Sequence, residues 1–132
     1  MIGVFLMEEK IKIVKIINEY QVVINAGSDD LIHDGQHLEV FVHGIPIIDP
    51  DTGDDLGTLD YVKAKLRVIN VFPKISVCEN RETETINRLK PLGNIFELTE
   101  ILPLNVDAKE ISGGYEGIDK KIHIGDLVRT VN

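Results

Sequence analysis

Tryptophan is absent from this sequence, cysteine occurs once, and only four phenylalanines and three tyrosines are spread over 132 residues. A lone cysteine, Cys78, forms no internal disulfide, so the chain is not a disulfide scaffold of the secreted kind and suits a reducing compartment. So few aromatic residues give no stacking platform for single-stranded nucleic acid. Basic residues are also scarce: 14 Lys and Arg face 22 Asp and Glu, a formal net charge of -8. Binders of nucleic acid and of anionic membranes rely on clustered Lys and Arg, so neither partner is expected. No apolar stretch approaches the ~20 residues of a membrane-spanning helix. The apolar start, Met1 to Met7, runs straight into Glu8 and Glu9 and lacks the basic leader and cleavage site of an export signal. A cytoplasmic protein is expected, with either Met1 or Met7 able to serve as its start.

What the chain does contain is enough apolar material, 43% of residues, for a real core in one domain covering 1–132. Its periodicity is that of strands. Residues 10–17 and 20–25 are β-branched and partly alternating around the polar pair Asn18 and Glu19, which predicts a hairpin. The glycine-bounded loop 26–36 carries the apolar pair Leu31 and Ile32, expected to plug the end of a barrel. Residues 37–42 alternate cleanly, with Leu38, Val40 and Val42 on one face. Residues 45–48 contain Pro46, which confines them to an edge. Turn chemistry fills 49–57, and extended chain resumes at Leu56 to Leu59. Residues 62–71 set Val62, Ala64, Leu66 and Val68 against a basic stripe of Lys63, Lys65 and Arg67, read as a solubilising outer face. A partner strand is predicted at 75–79, a loop at 80–94, a strand at 95–102, irregular chain at 103–118, and a final strand pair, 121–124 with 127–131, around Gly125 and Asp126. No segment sustains a helical period.

One element occurs twice. Ile32-His-Asp-Gly-Gln36 and Ile122-His-Ile-Gly-Asp126 each lead through a glycine and a polar residue into an alternating strand. Glycine permits the sharp turn and the Gln or Asp side chain can hold it, so the element is read as a fold device. The acidic run Asp49, Asp51, Asp54, Asp55 and Asp60 places Asp54 and Asp60 where a calcium loop needs Gly and Glu, and no helix flanks it, which favours a solvated turn. His33 and His37 are four apart, but Gly35 between them argues for a turn and against a metal pair; no metal and no cofactor are expected. Cys78 alternates within an apolar strand and reads as a small buried hydrophobe. Signatures of phosphate loops, dinucleotide folds, nucleophile elbows and zinc proteases are all missing.

The pieces Val22 to Phe41, Ile48 to Gly57 and Ala64 to Val71, followed by Ser76, lie in order within residues 10–80, about half the chain. This arrangement of turns and strands over residues 10–80 resembles the C-terminal domain family of bacterial flagellar assembly protein T. The resemblance implies a small SH3-like barrel acting as a structural or interaction module, with no catalytic residue. The expected fold is all-β with little helix: a barrel core at 10–80 and a loop-rich β elaboration at 81–132. The expected role is a bacterial, non-enzymatic interaction or assembly module, using a protein partner or self-association through the edge at Ile45 to Ile48 and the loop 80–94. The alternative is a small-ligand-binding barrel, or a minor enzyme, whose loop pocket is lined by Asp29, Asp30, His33 and Asp34.

Overall fold

A computed structural model describes residues 11–83 and 101–131. Among these residues eight strands follow in order: β1 (Ile13–Ile16), β2 (Gln21–Ile24), β3 (His37–Val42), β4 (Pro46–Ile48), β5 (Asp55–Thr58), β6 (Tyr61–Val71), β7 (Ser76–Asn80) and β8 (Leu127–Thr130). Among the described residues, helix is limited to two single 3-10 turns, Ser28–Asp30 and Ala108–Glu110. Six strands form one antiparallel sheet in the order β1-β2-β7-β6-β3-β8, and β4 pairs with β5 in a separate two-stranded sheet. The protein is a small all-β barrel.

The large sheet curls until its outer strands meet. Ile13 N–H donates to Asp126 O at 2.9 Å, Gly125 N–H to Ile13 O at 2.8 Å and Val128 N–H to Ile11 O at 2.9 Å. Closure removes the edges that an open sheet would expose there. The barrel is therefore not complete within residues 10–80: its sixth strand, β8, comes from the far end of the chain. Inward-facing residues fill the interior, with Ile13, Ile24, Leu38, Val40, Val68, Cys78 and Val128 all fully buried. Ser76 is buried among them because its hydroxyl donates to Ala26 O at 2.7 Å, which removes the cost of an unpaired polar group.

The repeated element has one geometry in both places. In the first copy, His33 N–H donates to the Gln36 side chain and Gln36 N–H back to His33 O; in the second, His123 N–H donates to the Asp126 side chain and Asp126 N–H back to His123 O. Gly35 (φ 83°) and Gly125 (φ 96°) supply the left-handed backbone each turn needs. Gly35 N–H then bonds Val68 O as Gly125 N–H bonds Ile13 O. The strands they launch, β3 and β8, are neighbours whose pairing is centred on Glu39 and Arg129. The barrel thus carries an approximate two-fold relation between β3-β6-β7 and β8-β1-β2.

Two expectations are corrected. Lys121 to Ile124 is not a strand: it forms the turn into β8, and β8 pairs with β3 and bridges Lys12, just ahead of β1, instead. Lys63 is not part of a solvated stripe. Val40 pairs with Ala64 but Phe41 with Val62, so Lys63 is the extra residue of a β-bulge. The bulge breaks the alternation, and the Lys63 side chain is only 3% exposed.

The second compact unit, Thr83–Gly113, is described at Thr83 and over 101–113, where the chain is exposed and carries the Ala108–Glu110 turn, capped by Asp107 accepting from Lys109 N–H at 3.1 Å. The predicted strand at 95–102 lies outside the described residues except for Ile101 and Leu102, which are not in a strand. Of the predicted loop 80–94, residues 84–94 lie outside the described residues.

Candidate functional site

The loop 26–36 closes one end of the barrel. Ser28 and Asp29 N–H donate to Phe72 O and Pro73 O at 2.9 and 3.0 Å, which ties the loop to the β6–β7 turn. Leu31 and Ile32 divide: Ile32 is buried in the core, whereas Leu31 sits at φ 67° and is exposed. The same packing seats Gly27 so tightly that a Cβ there would lie 2.0 Å from Phe72 O.

Of the four residues picked out for a loop pocket, Asp30 accepts from Gly27 N–H at 3.1 Å and so closes its own turn. Asp29, His33 and Asp34 are exposed, and the His33 ring lies 3.4 Å from Asp34 O. The structure places these four on one loop, over an end that Ile32 seals. The acidic turn is held internally as well: Asp49 accepts from Asp51 and Thr52 N–H and Asp55 from Gly57 N–H. Among the described residues, no three His, Cys, Asp or Glu side chains converge as a metal site.

Outside the barrel wall lies a polar cluster that periodicity did not show. Arg129 donates through Nε to Glu39 at 2.6 Å and through a terminal nitrogen to Asp60 at 2.8 Å, and its guanidinium lies 4.3 Å from the centre of the Phe41 ring. Asp60 also accepts from Thr58 Oγ1 at 2.5 Å, from Gly44 N–H at 3.4 Å, and faces His43 Nδ1 at 3.3 Å. Burial pushes the Asp60 carboxyl up, but the bonds from Thr58, Arg129, Gly44 and His43 outweigh it and hold the group below its ordinary value. A histidine beside an anchored carboxylate is one part of a nucleophilic apparatus. The neighbouring hydroxyl, on Thr58, gives its proton to Asp60 and not to His43, so the cluster fastens β3 and β8 to the β5–β6 connection. The thiol of Cys78 is fully buried, and burial pushes its pKa up to about 12, which keeps it protonated and unreactive.

The most exposed apolar surface on regular structure is the β4–β5 hairpin. Every residue of both strands is exposed, and Ile45, Ile47, Ile48 and Leu56 are 50%, 38%, 50% and 63% accessible. Its turn carries Asp49, Asp51 and Asp54, and Asp55 opens β5. An isolated two-stranded sheet is marginal in water, and among the described residues no strand pairs with either of its outer edges.

No protein-family model matches the chain, and no curated protein is similar enough to align with it. No helix among the described residues is long and apolar enough to cross a membrane.

Proposed function

We propose that this is a non-enzymatic interaction or assembly module that self-associates through the β4–β5 hairpin. The observation that carries the reading is the hairpin itself: an extra sheet outside the barrel, apolar on its exposed surface and open at both edges. Strand addition at such an edge satisfies the free backbone groups, and packing of a second copy over the hairpin covers the apolar side chains on the face it meets. The aspartates of the turn give the contact a charge requirement, so it favours a basic counterpart such as the exposed Lys12 and Lys15 of a second copy. The resemblance of residues 10–80 to the barrel domain of flagellar assembly protein T supports a structural or interaction module of this kind. Light scattering after size exclusion tests it. The wild type forms dimers or larger species as concentration rises, and the double substitution Ile47→Asp and Leu56→Asp returns it to monomer with its melting temperature preserved. A wild type that stays strictly monomeric at millimolar concentration refutes the proposal.

A further inference from the structure

The two ends of the barrel are built from the same repeated element but are not equally closed. At the loop 26–36 end, Ile32 is 4% exposed and fills the opening. At the opposite end, beside the β1–β2 turn, Ile122 is only half-buried, and a cavity of about 300 Å³ remains. Its apolar wall is formed by Ile13, Val22, Val40, Leu66 and Ile122, so its floor is the core of the barrel. That volume lies at the lower bound of small-molecule sites, and the wall chemistry suits an aliphatic body.

The polar groups of this cavity are mainly donors. The β6 bulge turns Lys63 into the wall, where its ammonium donates to Lys121 O at 2.7 Å and Asp126 Oδ2 at 2.9 Å. An ammonium has three hydrogens, and these partners account for two. Around the mouth stand three carboxamides, Asn18, Gln21 and Asn80. Asn18 Oδ1 accepts from Tyr20 N–H at 2.8 Å and Asn80 Oδ1 from Glu82 N–H at 3.0 Å. Because the oxygens are committed to the backbone, both amides are oriented with their NH2 groups available to donate. Two carboxylates stand against these donors: Asp126, which pairs with the Lys63 ammonium from behind the lining, and Glu19, on the exposed turn.

We infer that this end of the barrel is a binding site for a short aliphatic carboxylate, with its chain among Ile13, Val40 and Ile122 and its two oxygens accepting from Lys63 and the Asn18 and Asn80 amides. The site is independent of the β4–β5 hairpin. A neutral ligand of the same length gains the apolar contacts but leaves the donors poorly matched, and a carboxylate without a chain gains only the donors.

Calorimetric titration of the full chain with octanoate, octanol and acetate tests this. Octanoate binds saturably at one site, octanol binds about tenfold more weakly or worse, and acetate does not bind measurably. The substitutions Asn18→Asp and Asn80→Asp keep the oxygens that accept from the backbone but replace the donors with charge of the ligand's own sign. Together they weaken octanoate by about tenfold or more and change octanol by less than about twofold. Ala64→Leu, which fills the cavity from β6, abolishes binding of both. No saturable binding of octanoate, equal binding of octanol, or an N18D/N80D variant that binds octanoate like the wild type would each overturn the inference.

Discussion

Replacing Lys63 with methionine keeps the length and apolar stem of the side chain and removes only the ammonium. In the native barrel that ammonium is held by Asp126 and the Lys121 carbonyl, and the side chains of Lys63 and Asp126 are 3% and 15% exposed. Breaking a buried pair by deleting one member leaves the other charge uncompensated, at a cost of about 3–5 kcal/mol. Asp126 is not left bare: it keeps the bond from His123 N–H at 2.8 Å, and water reaches part of it. Those two features bring the expected loss to about 2–3 kcal/mol, a fall in melting temperature of roughly 6–12 °C for a domain of this size. Urea unfolding followed by far-ultraviolet circular dichroism measures it directly. Adding Asp126→Asn to Lys63→Met removes the stranded charge and recovers part of the loss, so the two substitutions are non-additive. Lys65→Met, two positions further along β6 but exposed, stays within about 0.5 kcal/mol of the wild type. If Lys63→Met is as stable as Lys65→Met, the bulge does not bury a working ion pair and the account of this end of the barrel fails.

Asp60 makes stability sensitive to acid in a stated direction. Its folded carboxyl lies below the ordinary value of 3.8, chiefly because the bonds from Thr58, Arg129, Gly44 and His43 exceed the opposing effect of burial. A depressed folded value means that the stabilisation is complete above about pH 4 and is lost as pH falls through the lowered value. Asp60→Asn should therefore lower stability at neutral pH and flatten the decline below about pH 4; parallel wild-type and variant curves in that range contradict the assignment. Cys78, fully buried with its pKa pushed up to about 12, should resist thiol-directed reagents in the native protein and react at the rate of global unfolding in urea. Rapid labelling without denaturant would show that the interior opens locally.

Much of the barrel was legible because its strands obey a two-residue period over an apolar core. The alternation at 37–42 anticipated Leu38 and Val40 as buried, and the β-branched runs at 10–17 and 20–25 anticipated the β1–β2 hairpin. Leu66 and Val68 were legible on the same ground, since β6 keeps its period there. The period was misleading at Lys63, because a bulge depends on how β6 is matched to β3, and that match is set by a partner more than twenty positions away. The C-terminal segment shows the same limit. Residues 121–124 have the composition of a strand, but backbone groups of this stretch are already used: His123 N–H donates to the Asp126 side chain, His123 O accepts from Asp126 N–H and Lys121 O accepts from Lys63. The Glu39-Arg129-Asp60 cluster joins three distant segments and left no local signal at all.

The repeated element sets the two ends of the barrel apart, and only one of them is dense in polar residues along the chain. Asp29, Asp30, His33 and Asp34 are dense in polar chemistry, and density in the sequence draws attention to the loop that carries them. Their chemistry is spent locally or faces solvent, and the residue between them that matters to the barrel is the apolar Ile32. At the other end the equivalent residue, Ile122, shares its space with Lys63, and an ammonium that must keep its hydrogen bonds to Lys121 O and Asp126 cannot be packed over as a methyl group can. The space it holds open becomes the cavity. A site in such a barrel is thus specified by the packing that one bulged lysine prevents, and its polar rim comes from two asparagines whose oxygens hold nearby turns.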